Sequence, residues 1–132
     1  MKTDPIQVEL DHVAILVSEV SQSVAFYADV FGLEDPFPGR WGGVPVMMLQ
    51  PDSRTGVAIF PAKSDGPGLT GRPAGVVDHF AFRTGREGYA QFLERLVRLG
   101  IEHEEQDHEI SRSVYFKDPD GHTLEVTTYE VD

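Results

Sequence analysis

The hydrophobic and polar positions in the first half of the chain predict one strand, one helix and then further strands. Residues 8–17 are mostly β-branched or apolar over a stretch too short for a typical helix, which predicts a largely buried strand. Apolar residues then recur at helical spacing as far as Gly32, a residue type expected just after a helix. Segments 44–50 and 56–60, separated by a turn-forming stretch, predict two weaker strands.

The second half repeats this order of elements. Its pattern predicts a strand over 76–83, a helix over 88–100, and strands over 113–117 and 122–129. Between the halves, residues 61–75 hold four Gly and three Pro without an apolar period, so we expect a connector there.

Matching residues in the two halves lie at nearly constant separations, which favours an internal duplication. The pairs are His12 with His79 (67 apart), Phe26 with Phe92 (66), Gly32 with Gly100 (68) and Gly56 with Gly121 (65). We therefore predict an α+β fold of two modules, over about 8–60 and 76–130, within one domain of 132 residues.

Charge and composition exclude several classes of partner and of chemical site. The formal net charge of −11 disfavours nucleic acid and anionic membrane surfaces as partners. The absence of cysteine excludes disulfides, thiolate nucleophiles and cysteine-based metal sites, so any metal must be held by His and carboxylate side chains. No window approaches the roughly 18 apolar residues of a membrane span, and the N-terminus lacks a signal peptide, so we expect a cytoplasmic protein.

Strand alternation indicates where a metal would bind. His12 and His79 occupy equivalent positions on the two first strands, and Glu125 lies on the polar face of the last strand. Two imidazoles and one carboxylate suit Fe(II), Mn, Zn, Co or Ni, with open positions for water and substrate. Taken singly, each histidine is more often a hydrogen-bonded core residue, and Glu125 an ordinary solvated one.

The residues LDHVAILV, FGLE, VDHFAFR and SVYFKDPDGHTLEV resemble the vicinal oxygen chelate superfamily, which includes glyoxalase I, extradiol dioxygenases, fosfomycin-resistance enzymes and bleomycin-resistance proteins. The resemblance runs from Leu10 to Tyr129. It implies two tandem βαβββ modules that form a cupped mixed sheet with helices outside. It also implies one divalent metal ion held by His12, His79 and Glu125.

Two departures from relatives narrow the expected activity. In glyoxalase I, the last strand of the first module usually supplies a fourth metal ligand. The repeat offset of 65 makes Phe60 the counterpart of Glu125 at this position, and phenylalanine is not a metal ligand. A glyoxalase I-like lyase is therefore a minority interpretation. Ser113 and Tyr115 resemble the phosphonate contacts of fosfomycin-resistance enzymes. The nearby acids Glu104, Glu105, Asp107 and Glu109 oppose an anionic substrate unless Arg83, Arg112 or Lys117 points inward.

Further side chains are candidates for the same site. Tyr115 could act as a general acid alongside Glu125, and Tyr129 could share this role. Arg83 could bind a substrate carboxylate, and Trp41 could belong to an apolar pocket wall together with Phe37, Met47 and Met48. The alternatives are surface salt bridges for Arg83, and core or dimer contacts for the apolar group. His103, His108 and His122 are expected at the surface, where His108 could shuttle protons.

The leading hypothesis is a metal-dependent enzyme that chelates a small oxygen-bearing substrate, with a dioxygenase-like or lyase/isomerase-like outcome. One alternative is a metal-free small-molecule binding protein of the bleomycin-resistance type, which the His, His and Glu set opposes. Another is a module whose site is idle, because fold alone does not fix function. A homodimer is expected, since relatives commonly pair through their modules.

Overall fold

A computed structural model of the protein describes residues 4–5, 9–62, 77 and 79–132. The chain divides into two compact units, Met1–Ala62 and Lys63–Asp132, each with its own sheet and helix. Most of the predicted connector and two positions of the predicted strand over 76–83 lie outside the described residues.

The first unit contains three strands, one α-helix and a short 3₁₀ helix at Arg40–Gly43. The elements are β1 (His12–Val17), α1 (Val20–Phe31), β2 (Val46–Leu49) and β3 (Gly56–Pro61). The sheet order is β1-β3-β2, with β1 parallel and β2 antiparallel to the central β3. A β-bridge between Glu34 and Leu49 continues the ladder beyond β2.

The second unit repeats that topology with a complete fourth strand. The elements are β4 (Phe80–Arg83), α2 (Arg86–Arg98), β5 (His103–Asp107), β6 (Arg112–Lys117) and β7 (Thr123–Thr128). The sheet order is β4-β7-β6-β5, in which β4 and β7 are parallel and the other neighbours antiparallel. The predicted α+β class is confirmed, and both units are consistent with a βαβββ module, in which the bridge at Glu34 takes the place of the strand after the helix in the first unit.

One strand escaped the sequence pattern. β5 has the sequence HEEQD, without an apolar residue, and all five positions are exposed. It forms because its backbone pairs along the whole of β6 at the edge of the sheet, where burial of side chains is not required. The first predicted strand is shorter than expected, because residues 9–11 precede β1 without joining it.

The strand register corrects one predicted equivalence. His12 pairs with Gly56, and Phe80 pairs with Leu124, which places Thr123 beside His79. Gly56 therefore corresponds to Thr123 rather than to Gly121. It is glycine because a Cβ there would collide with the backbone carbonyl of Met48, not because the chain turns.

The counterpart of Glu125 consequently changes. Glu125 pairs with Ala81, and the equivalent residue of β1, Ala14, pairs with Ala58. The prediction that Phe60 takes this place was therefore wrong by two positions. Since alanine offers no side-chain ligand either, the expectation that this strand lacks a fourth ligand is unchanged.

The helices end where their glycines predict. Gly32 follows α1 and Gly100 lies two residues beyond α2, and both adopt the left-handed conformation at φ 72° and 69°. α1 buries Ser23, Tyr27 and Val30 in the first unit. Val20 and Val24, which share the helical spacing of Tyr27, are half-buried.

The core of the second unit lies on one face of its sheet. Leu124 and Val126 of β7 and Val114 of β6 are fully buried, as is Leu96 of α2, the helix that packs against β7. The opposite face of β7 carries Thr123, Glu125 and Thr127 by strand alternation. None of the helices described within 9–62 and 79–132 is long and apolar enough to cross a membrane.

Candidate functional site

Polar side chains converge on the face of the second unit's sheet that is opposite to α2. Glu125 pairs with Ala81 on one side and with Tyr115 on the other, and Ser113 pairs with Thr127. Paired residues point to the same face of a sheet, so β4, β6 and β7 together present these groups in one area.

His79 and Glu125 make direct contact in this area. His79 Nε2 lies 3.1 Å from Glu125 Oε1, and the exposed fractions of the two side chains are 36% and 12%. A carboxylate this enclosed requires polar partners, because burying an unpaired charge is costly. Two of the three predicted metal ligands are thus brought together within one unit.

The separation of the two ligand atoms fits a shared metal ion. Two ligands at right angles, each about 2.1 Å from a metal, lie about 3.0 Å apart. The observed 3.1 Å between His79 Nε2 and Glu125 Oε1 is close to this value, and the same distance also fits a direct hydrogen bond. Imidazole nitrogen and carboxylate oxygen are both ligands for Fe(II), Mn and Zn.

A serine holds the second oxygen of the carboxylate. Ser113 Oγ donates to Glu125 Oε2 at 2.6 Å and lies 2.9 Å from Thr127 Oγ1. The Thr127 hydroxyl in turn donates to the main-chain carbonyl of Arg112 at 3.2 Å. Ser113, predicted as a substrate contact, is fully buried.

Tyr115 adds an aromatic ring and a hydroxyl to the same face. Its ring stands edge-on to His79, with the centroids 5.8 Å apart. Its hydroxyl lies 3.1 Å from His108 Nε2, in the loop between β5 and β6. The position of Tyr115 opposite Glu125 is compatible with its predicted roles, which remain predictions.

The third predicted ligand, His12, belongs to the first unit. It opens β1 with a side chain that is 41% exposed, and its Nδ1 lies 2.7 Å from Asp11 Oδ2. This contact leaves Nε2 as the nitrogen for another partner. Within the described part of the chain, no three His, Cys, Asp or Glu side chains converge closely enough to hold a metal.

Three cationic side chains were candidates to offset the nearby acids. Arg83 shares the strand face of His79, and Lys117 shares that of Tyr115, where its Nζ donates to Thr123 Oγ1 at 3.2 Å. Arg112 points to the opposite face, where its guanidinium lies 4.0 Å from Glu105. Two of the three therefore lie on the face of Glu125.

A groove borders this cluster. Its volume is about 760 Å³, and Tyr115, Lys117 and Thr123 lie along one side of it, with Glu102 and Glu104 also in its lining. The groove is within the range of small-molecule sites in size, and its charges are mixed. Glu104 pairs with Tyr115 across the β5–β6 ladder.

The remaining candidates are less informative. Trp41 is 58% exposed in the first unit, in the left-handed conformation at φ 55°, with its ring edge-on to Phe37 at 5.7 Å. Met48 is buried in the core of that unit, which agrees with the alternative that these apolar residues make core contacts. Tyr129 lies beyond the end of β7 and is 57% exposed. Nothing in these positions decides a substrate role.

The sequence missed the support of the Glu125 carboxylate by Ser113. Alternation placed Glu125 and Thr127 on one face of the last strand, but it did not give the pairing of β6 with β7 that puts Ser113 beside them. The short turn at 118–122 was the available signal, because a tight turn fixes the register of the strands it joins.

Comparison with known proteins agrees with this architecture. Residues 9–126 match the Glyoxalase/Bleomycin resistance protein/Dioxygenase superfamily. A curated relative, the glutathione transferase FosA of Serratia marcescens, is 29% identical over 125 residues, covering 89% of this chain and 78% of the relative.

Solved structures share the fold at lower identity. A glyoxalase/dioxygenase from Nostoc punctiforme matches with a TM-score of 0.76 and 18% identity, over 98% of this chain and 100% of that one. A mutant of the fosfomycin resistance protein FosX from Listeria monocytogenes, complexed with Mn(II) and 1S,2S-dihydroxypropylphosphonic acid, matches with a TM-score of 0.64 and 24% identity, over 92% of each chain.

Proposed function

The chain belongs to the Glyoxalase/Bleomycin resistance protein/Dioxygenase superfamily, and from this premise we propose that it is a metal-dependent enzyme acting on a small oxygen-bearing substrate. The observation that carries the proposal is the contact of His79 Nε2 with Glu125 Oε1 at 3.1 Å on the open face of its sheet. His12 is the proposed third ligand, on the strength of its equivalence to His79 in the repeat.

The chemistry follows from the donor set. A divalent ion held by two imidazoles and one carboxylate supplies Lewis-acid polarisation of substrate oxygens or, as Fe(II), activation of dioxygen. Ala58, at the position equivalent to Glu125, contributes no ligand, so the proposed centre keeps open coordination positions. This favours dioxygenase-like or lyase/isomerase-like chemistry over a glyoxalase I-like centre with four protein ligands.

Tyr115 is the proposed general acid or base beside Glu125. Its hydroxyl oxygen can give a proton to, or take one from, a substrate group on the same sheet face. His108, whose Nε2 lies 3.1 Å from that hydroxyl, is exposed and can exchange the proton with solvent. Arg83 is proposed to bind a carboxylate group of the substrate, and Trp41 an apolar portion.

Metal content provides the decisive test. We expect protein purified without chelator or affinity tag to bind about one equivalent of Mn(II), Fe(II), Ni(II) or Zn(II). His79→Ala and Glu125→Gln should each weaken uptake at least tenfold, and His12→Ala should do the same. The measurements are elemental analysis and calorimetric titration of each protein.

His103→Ala is the matched control for these variants. His103 lies in the same unit, on β5, and its Nδ1 is 2.8 Å from the carbonyl of Ile101, so its loss should leave metal uptake unchanged. Wild-type protein that holds less than about a tenth of an equivalent and takes up none on titration contradicts the proposal. Such a result would favour the metal-free binding protein.

A second candidate is a glutathione transfer that confers fosfomycin resistance, since the FosA relative is named a glutathione transferase and the FosX structure a fosfomycin resistance protein. The specific observation in its favour is that Arg83 and Lys117 lie on the face of Glu125. It ranks second because Glu104 lies beside Tyr115 and would repel a phosphonate.

Phosphorus NMR separates the two candidates. We expect no glutathione adduct when metal-loaded protein is incubated with fosfomycin and glutathione, because Glu104, on the sheet face of Tyr115, opposes binding of the dianion. An adduct that forms with wild-type protein and is lost in both Glu125→Gln and Lys117→Met would reverse the ranking.

A further inference from the structure

The environment of Ser113 assigns its hydroxyl to the protein rather than to a ligand. The side chain is fully buried, and its Oγ donates at 2.6 Å to Glu125 Oε2. A serine hydroxyl carries a single proton, so this bond uses its whole capacity as a donor. A length of 2.6 Å is typical of a charge-assisted bond to a carboxylate.

A second hydroxyl lies beside the serine. Thr127 Oγ1 is 2.9 Å from Ser113 Oγ, is also buried, and donates its own proton to the Arg112 carbonyl at 3.2 Å. Of the two acceptors within reach of the single Ser113 proton, Glu125 Oε2 at 2.6 Å is the nearer, while Oε1 of the same carboxylate is directed at His79.

We infer that Ser113 is a positioning residue, which fixes the Glu125 carboxylate so that one oxygen remains directed toward the metal site. The inference rests on the proposed metal site and reassigns a residue that the sequence resemblance placed at the substrate. Hydrogen bonds that orient a ligating carboxylate typically account for 10- to 100-fold in metal affinity. Without the serine, Glu125 can rotate, and the entropy of holding it in place opposes binding.

The test compares Ser113→Ala with Ser113→Thr and Ser111→Ala by calorimetric titration of Mn(II) into metal-free protein. We expect about 10- to 100-fold weaker binding for Ser113→Ala. Ser113→Thr restores the hydroxyl and should bind within about threefold of wild type. Ser111 is also buried but has no described hydrogen bond to Glu125, so Ser111→Ala should bind as wild type. Melting temperatures of the metal-free proteins separate a loss of affinity from a loss of folding.

Should Ser113→Ala fail to fold, Ser113→Cys tests the same hydrogen bond. It replaces the hydroxyl by a weak donor of similar shape, and we expect a smaller loss of a few-fold in Mn(II) affinity. Unchanged affinity in whichever of these two variants folds would overturn the inference.

Failure of the positioning role is distinct from failure of the proposed function. If wild type binds Mn(II) and Ser113→Ala binds equally well, Ser113 is not a positioning residue, although the metal site stands. If wild type binds no metal, the proposed function fails and the inference falls with it. A crystal structure of metal-free Ser113→Ala gives an independent readout. We expect the Glu125 carboxylate to turn away from His79, and an unmoved carboxylate would overturn the inference.

Discussion

At the scale of single residues, two histidine–carboxylate pairs in the second unit have different surroundings. His79 meets Glu125 on the polar face of the sheet. His122 Nδ1 instead lies 2.7 Å from Oδ2 of Asp118, whose side chain is fully buried in the turn between β6 and β7. Asp118 Oδ1 also accepts hydrogen bonds from the backbone N–H groups of Asp120 and His122. The second pair therefore stabilises a turn, and the first remains available for chemistry.

The turn pair predicts a pH dependence of stability. The hydrogen bond that His122 donates to the Asp118 carboxylate raises the pKa of His122 above its usual 6.5, against the opposing effect of burial. The folded protein thus binds this proton more tightly than the unfolded chain. Its contribution is fully present below pH 6.5 and is lost as the pH rises through the raised pKa.

Urea unfolding of wild type and His122→Gln at several pH values measures this contribution. We expect wild type to exceed the variant most in free energy of unfolding near pH 5.5, with the difference shrinking as the pH rises toward 9. His103→Gln, which removes a histidine without a carboxylate partner among the described residues, should show no comparable trend. A wild-type advantage that stays constant with pH would contradict the assignment.

The candidate ligands could be predicted from residue types and alternation, but the hydrogen bond from Ser113 that supports Glu125 could not. His79 and Glu125 were predicted as ligands from a repeat, a polar strand face and the family resemblance, whereas their direct contact depends on the pairing of β4 with β7. The hydroxyl that holds Glu125 depends on which residue of β6 lies opposite which residue of β7. An error of two positions, as for Phe60 and Ala58, leaves the face correct but changes the residue at the site.

At the scale of elements, the sequence predicted the helices and strands that bury apolar side chains and missed the one described strand, β5, that buries none. The helices and the buried strands carry apolar periods, and left-handed glycines mark where the helices end. β5 has no apolar side chain, and nothing in its residue types distinguishes an edge strand from a charged loop. Its existence follows from backbone pairing with β6, which is a property of the sheet rather than of the segment.

A side-chain contact also joins this edge strand to the helix. Tyr89 of α2 is buried and its hydroxyl donates to Glu105 Oε1 of β5 at 3.0 Å. Burial and this hydrogen bond together raise the pKa of Tyr89 to about 12. The tyrosine therefore stays protonated at physiological pH, and its hydrogen bond to Glu105 holds β5 against α2. This contact keeps β5 beside the groove that Tyr115 lines.

At the scale of the whole molecule, the duplication accounts for the shared topology and for the equivalence of His12 and His79. The duplication also leaves edge strands in each unit. Among the described residues, β1 is an edge strand of the first sheet, and β4 and β5 are the two edge strands of the second. Edge strands expose backbone donors and acceptors that natural proteins cover, charge or pair. The acids of β5 protect one edge by charge, whereas β1 carries the exposed side chain of Leu16.

These edges support the prediction of a homodimer. Pairing between copies would cover backbone groups and apolar side chains at these edges, and closed two-fold pairing is the commonest arrangement among soluble homo-oligomers. We expect light scattering coupled to size-exclusion chromatography to give about twice the chain mass of 14.6 kDa. Moderate salt should be present, because a net charge of −11 on each copy opposes association at low ionic strength. A mass that stays at that of one chain up to the highest soluble concentration, with or without metal, would contradict the prediction.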